Sequence, residues 1–425
     1  MVFKFKHSLF LLGFLTQCAF AQTKDVAIVG AHIETGDGKV IASGTILIHD
    51  GKIVAVGDSV ALPSDVDTID GKGLYVYPGF IDAYSTQGLK LPDAPFAGTP
   101  PDTRTTAPAT MWHANKRGIR ADVVAAKCLD LADRIKDSYA MGITTALITS
   151  GTGSVRGIAT VVDYIGKGNV LLPAAAGELA LRGGGGGGGG GGGYPGTLFG
   201  VTALTRQVLI DAQAYAADPN PKKDQGLENL RPLVTGQIPA IFLADSAREI
   251  VRATKMADEF GFKLIIEGGR EAYRGIEPLK AKHIPVILSV DVADAPSKKP
   301  ETGVDATPQE VLDERYDTWV EHSLNPKALN DAGIPLAFSL GSGFADYLKG
   351  IRKIVSAGLP RDAALKAMTS GAASILGVGD KVGTIEPGKL ANLTIMTGDF
   401  LDDKSAIQMV IVEGTKIDLK KGGAK

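Results

Sequence analysis

The chain has 425 residues, 22% of them charged and 44% hydrophobic, and a formal net charge of −2. That length exceeds what one small core holds, so a large domain with a satellite is expected. The mild charge and the lack of a basic patch argue against nucleic acid or an anionic membrane as a partner.

In chain order, the first stretch reads as a secretory signal. Lys4 and Lys6 precede the apolar run from Ser8 to Leu15, and Ala19-Phe20-Ala21 offers a small-residue cleavage site. Cleavage after Ala21 would make the mature chain secreted or periplasmic. A lipid anchor at Cys18 is disfavoured, because Gln17 stands where such a signal wants a small residue. Removing the two lysines takes the net charge from −2 to −4 and leaves Cys128 as the one cysteine, so no intrachain disulfide is expected. No later apolar run approaches the roughly 20 residues of a membrane-spanning helix.

Residues 25–33 are rich in Val and Ile, and residues 44–57 read as a hairpin turning on Asp50-Gly51. Residues 393–396 and 409–412 have the same short-strand character, so both chain ends are expected to build one small β-domain. Between them, apolar runs recur at 79–84, 143–149, 160–165, 171–176, 239–244, 263–267, 285–290 and 335–339. Helical patterns lie between many of these runs, at 201–217 and most clearly at 247–260. Eight such strands over about 260 residues are the pattern of a (β/α)8 TIM-like barrel in the α/β class. The expected division is a signal peptide at 1–21, a β-sandwich domain from 22–76 and 383–425, and the barrel at 77–382. Eleven consecutive glycines, Gly183 to Gly193, predict a flexible loop on the barrel. They are not a phosphate loop, since neither Lys-Ser nor Lys-Thr follows.

Three stretches carry a resemblance to a known family. They are Pro78-Gly79-Phe80-Ile81-Asp82-Ala83, the segment from Gly358 to Gly377 with Met368-Thr369 and Ala372-Ala373, and Gly383-Thr384-Ile385-Glu386-Pro387-Gly388-Lys389-Leu390-Ala391-Asn392-Leu393. Together they resemble the amidohydrolase superfamily, in its exported imidazolonepropionase-like branch, with Asn392 where an aspartate is customary. Tyr194-Pro195-Gly196 and Thr205-Arg206-Gln207 add a weaker likeness. The resemblance implies a metal at the C-terminal mouth of the barrel, activating water against an amide or cyclic amide. The implied ligands are His-x-His after strand one, often a bridging lysine or glutamate, a histidine after each of strands five and six, and an aspartate after strand eight. Imidazoles and carboxylates hold such a cation, which draws the pKa of bound water towards about 7.

The corresponding positions here read Tyr84 and Thr86, then Leu243, Glu267 and Gly341. The mature chain has five histidines: His32 and His49 in the β-domain, His113 after strand one, His283 and His322. No pair has ligand spacing. Each is expected to be a surface or capping residue, with His113 nearest the active face of a barrel. No metal centre is therefore expected, with zinc or a similar ion only if an unconventional site exists. Asp245, Glu178, Asp291 and His113 are the candidate pocket residues, and Asp82, Asp294 and Glu267 complete the carboxylates near the mouth. Asp82 is expected to support its strand rather than hold a metal.

A metal-free nucleophile finds little support. Ser85, Thr149, Ser150, Ser289, Ser339 and Ser342 fall near strand ends, yet no Gly-x-Ser-x-Gly elbow is present. Gly151-Thr152-Gly153-Ser154 reads as a tight turn. Cys128, in an apparent helix over 123–131, reads as a packed core thiol. Two functions follow. One is a non-catalytic binding or assembly protein, paired with an intact relative or itself, or holding a small amide-containing ligand. The other is a hydrolase of carbon–nitrogen bonds in small molecules.

Overall fold

A computed structural model describes residues 25–93, 108–111, 118–181, 197–300, 303, 305–341 and 346–419. The expected signal peptide, Cys18, His113, Ser342 and the glycine run at 183–193 lie outside the described residues.

Both chain ends contribute to one connected eight-stranded sheet. Its strands are β1 (Val26–Glu34), β2 (Val40–His49), β3 (Lys52–Gly57), β4 (Asp67–Asp70), β5 (Tyr75–Pro78), β14 (Leu393–Met396), β15 (Ile407–Val412) and β16 (Thr415–Asp418). Asp50 and Gly51 turn β2 into β3 with φ of 47° and 75°, the paired positive angles of a tight hairpin turn. Ile28, Ile33, Ile46, Ile53, Ile395 and Ile411 form this sheet's own core.

The second sheet is a barrel of eight strands: β6 (Phe80–Ser85), β7 (Ile143–Ile148), β8 (Val155–Asp163), β9 (Asn169–Ala180), β10 (Ala240–Ala244), β11 (Leu264–Gly268), β12 (Val286–Ser289) and β13 (Leu336–Ser339). All eight expected apolar runs fall on these strands. Alternation sends Ile81, Leu147, Val161, Ile241, Ile265, Ile287 and Ala337 into the interior. The alternate residues Phe80, Phe242, Ile266 and Phe338 face the surrounding helices. At the seam between β13 and β6, Leu340 N donates to Asp82 Oδ1 at 3.0 Å and Tyr347 OH to Ile81 O at 3.0 Å.

One barrel strand departs from simple β/α alternation. β8 runs antiparallel to both β7 and β9, with no helix on either side of it. The turn 149–154 is too short for a crossover, and parallel strands need about a dozen residues or more to return. Its first residues, not its last, therefore stand at the C-terminal mouth of the barrel.

The helix over 247–260 is found as expected, as α4 (Ala247–Phe260). A capping box between Ser246 and Glu249 opens it, and Gly261 at φ 73° closes it. The helix over 123–131 is not found. A short 3-10 turn spans Ala125–Lys127 and α1 follows at Ala132–Ala140, leaving Cys128 half-buried rather than in the core. Helices α2 (Leu198–Ala217) and α3 (Gln225–Val234) lie between β9 and β10, and α5 (Ile276–Ala281) between β11 and β12. The long α6 (Gln309–Asp331) links β12 to β13, and α7 (Tyr347–Ser356), α8 (Arg361–Met368) and α9 (Ser370–Ile375) close the barrel segment. Among the described residues, no helix is long and apolar enough to cross a membrane.

Candidate functional site

A cavity of about 610 Å³ opens at the C-terminal mouth of the barrel. Tyr84, Thr86, Leu243, Glu267 and Gly341, the residues that stand where the resemblance leads one to expect metal ligands, all line it. Asp245 and Asp291 line it too, whereas Glu178 lies just beneath, almost completely buried. Arg156 on β8 and Arg270 after β11 add to the wall, and much of the rest comes from the loop after β12 and from α6 and α7, including Val292, Trp319, His322 and Ile354.

A polar network fills the floor of the mouth. Tyr84 OH donates to Glu178 Oε1 and Thr149 OH to Glu178 Oε2. Arg156 Nη1 donates to Glu178 Oε1 at 2.9 Å and to Tyr84 Oη at 3.1 Å. Arg156 Nε donates to Gly153 O at 2.9 Å, and Ser150 OH donates to Arg156 O at 2.6 Å. Burial pushes the Tyr84 phenol well above its usual range, with the Glu178 and Glu267 charges adding to the effect and Arg156 opposing it. The phenol therefore remains a donor. Burial pulls the Arg156 guanidinium down, but Glu178 and Tyr84 outweigh that effect and raise it.

The other positions are set by backbone. Asp245 N and Ser246 N both donate to Glu249 Oε2, at 2.9 and 3.0 Å, which fixes the β10–α4 junction. The Asp245 carboxylate lies 3.9 Å from Arg270 at the rim. Asp291 is exposed, its N–H donating to Ser289 Oγ at 3.0 Å. Asp294 is a surface partner of Lys353 at 2.7 Å. Gly341 sits at φ 73°, where an added Cβ would stand 2.4 Å from Ser289 Oγ. Thr86 packs on Gly151, whose Cβ would meet its methyl group at 2.5 Å.

Asp82 has the supporting role expected of it. It is fully buried and accepts from the backbone of Leu340 and Tyr84, so it ties the end of β13 to β6. Burial pushes its carboxyl up to about 6, with the Leu340 N–H, the Arg134 charge 3.9 Å away and the Tyr84 N–H holding it down.

His322, expected to be a surface or capping residue, instead lines the cavity, with a buried Nε2 that has no hydrogen-bond partner among the described residues. Burial lowers its pKa, helped by Arg270. Arg156 was also missed, because its place at the mouth depends on the reversed direction of β8. His32 lies on β1 beside Glu34 at 3.7 Å, and His49 pairs with Asp25 at 2.5 Å. His283 occupies the turn after α5 at φ 51°.

A divalent metal is what the family resemblance implies at this mouth, and the residues present do not fit one. Leu243 and Gly341 have no side-chain donor atom. Tyr84 donates its proton to Glu178, and both oxygens of Glu178 are occupied. Among the described residues, no group of three or more His, Cys, Asp or Glu side chains could hold a metal ion.

Residues 320–417 match the model of the amidohydrolase family. The fold is similar to an amidohydrolase from Thermotoga maritima MSB8, at 22% identity over 92% of this chain and 99% of that one, with a TM-score of 0.72. It also resembles a Xaa-Pro dipeptidase with bound methionine in its active site, at 17% identity over 93% and 100% of the two chains and a TM-score of 0.57. Molinate hydrolase matches at 16% identity over 94% and 96%, with a TM-score of 0.55. At such identities these structures speak to the fold. An N-substituted formamide deformylase from Arthrobacter pascens is 31% identical over 86 residues, which cover 19% of this chain and 16% of that protein. The amidohydrolase resemblance and the barrel with a second sheet from both chain ends are thereby borne out.

Proposed function

Starting from a barrel of amidohydrolase type, matched to that family over residues 320–417, we propose that this chain is an exported protein that binds a small amide-containing molecule. On this reading it does not run metal-assisted hydrolysis. The supporting observation is the donor set at the mouth. Phenol, hydroxyl, aliphatic and hydrogen side chains occupy four of the ligand positions, and only Glu267 offers a carboxylate. Without a Lewis acid, water at the mouth remains a poor nucleophile.

What remains suits binding. The cavity wall pairs an apolar side of Leu243, Val292, Ile354 and the Trp319 ring with polar groups from Tyr84, Arg156, Glu267 and Asn325. Such a mixture can hold the hydrocarbon part of an amide while its oxygen and N–H find partners. Assembly with an intact relative or a second copy fits the same reading. Coexpression with an intact amidohydrolase of the same host, followed by sizing, tests it, and failure to comigrate counts against the heteromer.

The second reading is hydrolysis of carbon–nitrogen bonds in small molecules. The family match favours it, as does the 86-residue likeness to a deformylase. Glu267 and Asp245 are then the residues to substitute first. A panel of acylated amines and cyclic amides, followed in parallel by calorimetry and by amine release, separates the readings. Binding without release supports the proposal. Amine release lost on chelation refutes it.

A further inference from the structure

We propose that the Arg156 guanidinium is a built-in cation that takes the place of the fold's metal at the mouth of the barrel, with Glu178 as its counter-ion. This inference rests on the metal-free reading above and adds a residue and a mechanism to it.

The chain builds this position deliberately. In the β8–β9 ladder, Val155 pairs with Leu179 and Gly157 with Glu178, so Arg156 is the extra residue of a bulge. A bulge re-aims the side chain it displaces. Gly157 makes the bulge possible at φ 89°, where any Cβ would stand 2.2 Å from Val123 O and 2.8 Å from Arg120 O. The side chain then runs over the mouth and is gripped at both Nε and Nη1. It joins Tyr84 on β6 to Glu178 on β9. The first of these holds a family ligand position, and the second is a buried carboxylate of the fourth barrel strand.

The chemistry matches a cation's site. Glu178 is 1% exposed and would be a costly lone charge, since a buried carboxylate needs a partner and further hydrogen bonds. Arg156 supplies the charge, and Tyr84 and Thr149 supply the hydrogen bonds. A guanidinium is always protonated and its donors lie in a fixed plane, so it can serve permanently where an ion would come and go. Its Nη1 is taken up by the Glu178 carboxylate and the Tyr84 phenol, and its Nε by Gly153 O.

Thermal unfolding of the full mature chain and of Arg156→Ala tests this, with methylguanidinium and tetramethylammonium as probes at equal ionic strength. Expected is a fall of several degrees in Arg156→Ala. Methylguanidinium should restore much of it, and tetramethylammonium, which has no N–H donor, should not. The double variant Arg156→Ala with Glu178→Gln should be more stable than the single and indifferent to methylguanidinium, because the uncompensated charge is gone. Arg156→Lys should fall between wild type and Arg156→Ala. If Arg156→Ala does not fold, recovery of folding in the double variant supports the pairing. Failure of both variants to fold, wild-type stability in Arg156→Ala, or absence of methylguanidinium rescue overturns it. Stoichiometric metal in the untreated wild type overturns the metal-free reading and this inference together. Metal-free protein without rescue overturns this inference alone.

Discussion

Replacing Asp163 by Asn probes a buried carboxylate at the floor of the barrel, where β8 ends against the β-domain. Asp163 is fully buried. Its Oδ1 accepts from Thr145 OH at 2.6 Å and its Oδ2 from Asn392 Nδ2 at 2.8 Å. The backbone N–H of Glu413 donates to Asn392 Oδ1 at 2.8 Å, so three segments meet at one polar knot. Burial pushes the Asp163 carboxyl up to about 7, with Thr145 and Asn392 holding it down and Glu413 raising it again. In the unfolded chain it titrates near 3.8. The folded chain therefore holds this proton more tightly. The stability involved is fully present below pH 3.8 and is lost as pH climbs through 7.

Between pH 5 and pH 7, at 1.36 kcal/mol per pH unit, that loss is bounded at about 3 kcal/mol. Asn at 163 cannot ionise, so its curve lacks this slope. It also presents an N–H₂ to one of its two donors, a pH-independent cost of about 1 kcal/mol. Denaturant midpoints of wild type and Asp163→Asn, measured from pH 5 to pH 8, provide the assay. The stability difference between them should shift in favour of the variant by up to about 3 kcal/mol as pH rises. A difference that stays constant across this range would refute the reasoning.

Two further substitutions read the mouth and the seam. Gly341→Asp, which puts a carboxylate where the resemblance leads one to expect it after strand eight, should cost about 2–4 kcal/mol by combining left-handed strain with overpacking on Ser289. Zinc added to that variant should not raise its melting temperature, and a clear rise would show that a latent metal site survives. Asp82→Ala removes the acceptor for Leu340 N and strips the nearly buried Arg134 of the carboxylate 3.9 Å away, for an expected loss of about 3 kcal/mol in chemical denaturation. Stability within about 0.5 kcal/mol of wild type, the range of a neutral surface change, would remove Asp82 from the seam.

Much of the fold was legible because its signals are local. Asp50-Gly51 marked the first hairpin, the 3.6-residue pattern over 247–260 marked α4, and eight short apolar runs marked the barrel. The direction of β8 was not legible. A nine-residue strand whose apolar part is Val, Ile and Ala reads the same in either sense, and the short turn before it was the one hint that it reverses. The mouth was legible only in part. Strand-end counting brought Tyr84, Thr86, Leu243, Glu267 and Gly341 to one cavity, because side chains at strand ends must converge there. It missed Arg156, which reaches the mouth through a bulge at the start of a reversed strand. It also missed His322, whose place depends on how α6 packs over the loop after β12. Gly157 beside an arginine, just after a Gly-Thr-Gly turn, was the available signal for the bulge.

The most direct test is a metal count on untagged protein produced in zinc-supplemented medium and washed free of loosely held ions. Expected is far less than one transition ion per chain, with a melting temperature unchanged by a strong chelator. About one ion per chain, retained through the wash and lost together with stability or turnover on chelation, would contradict it.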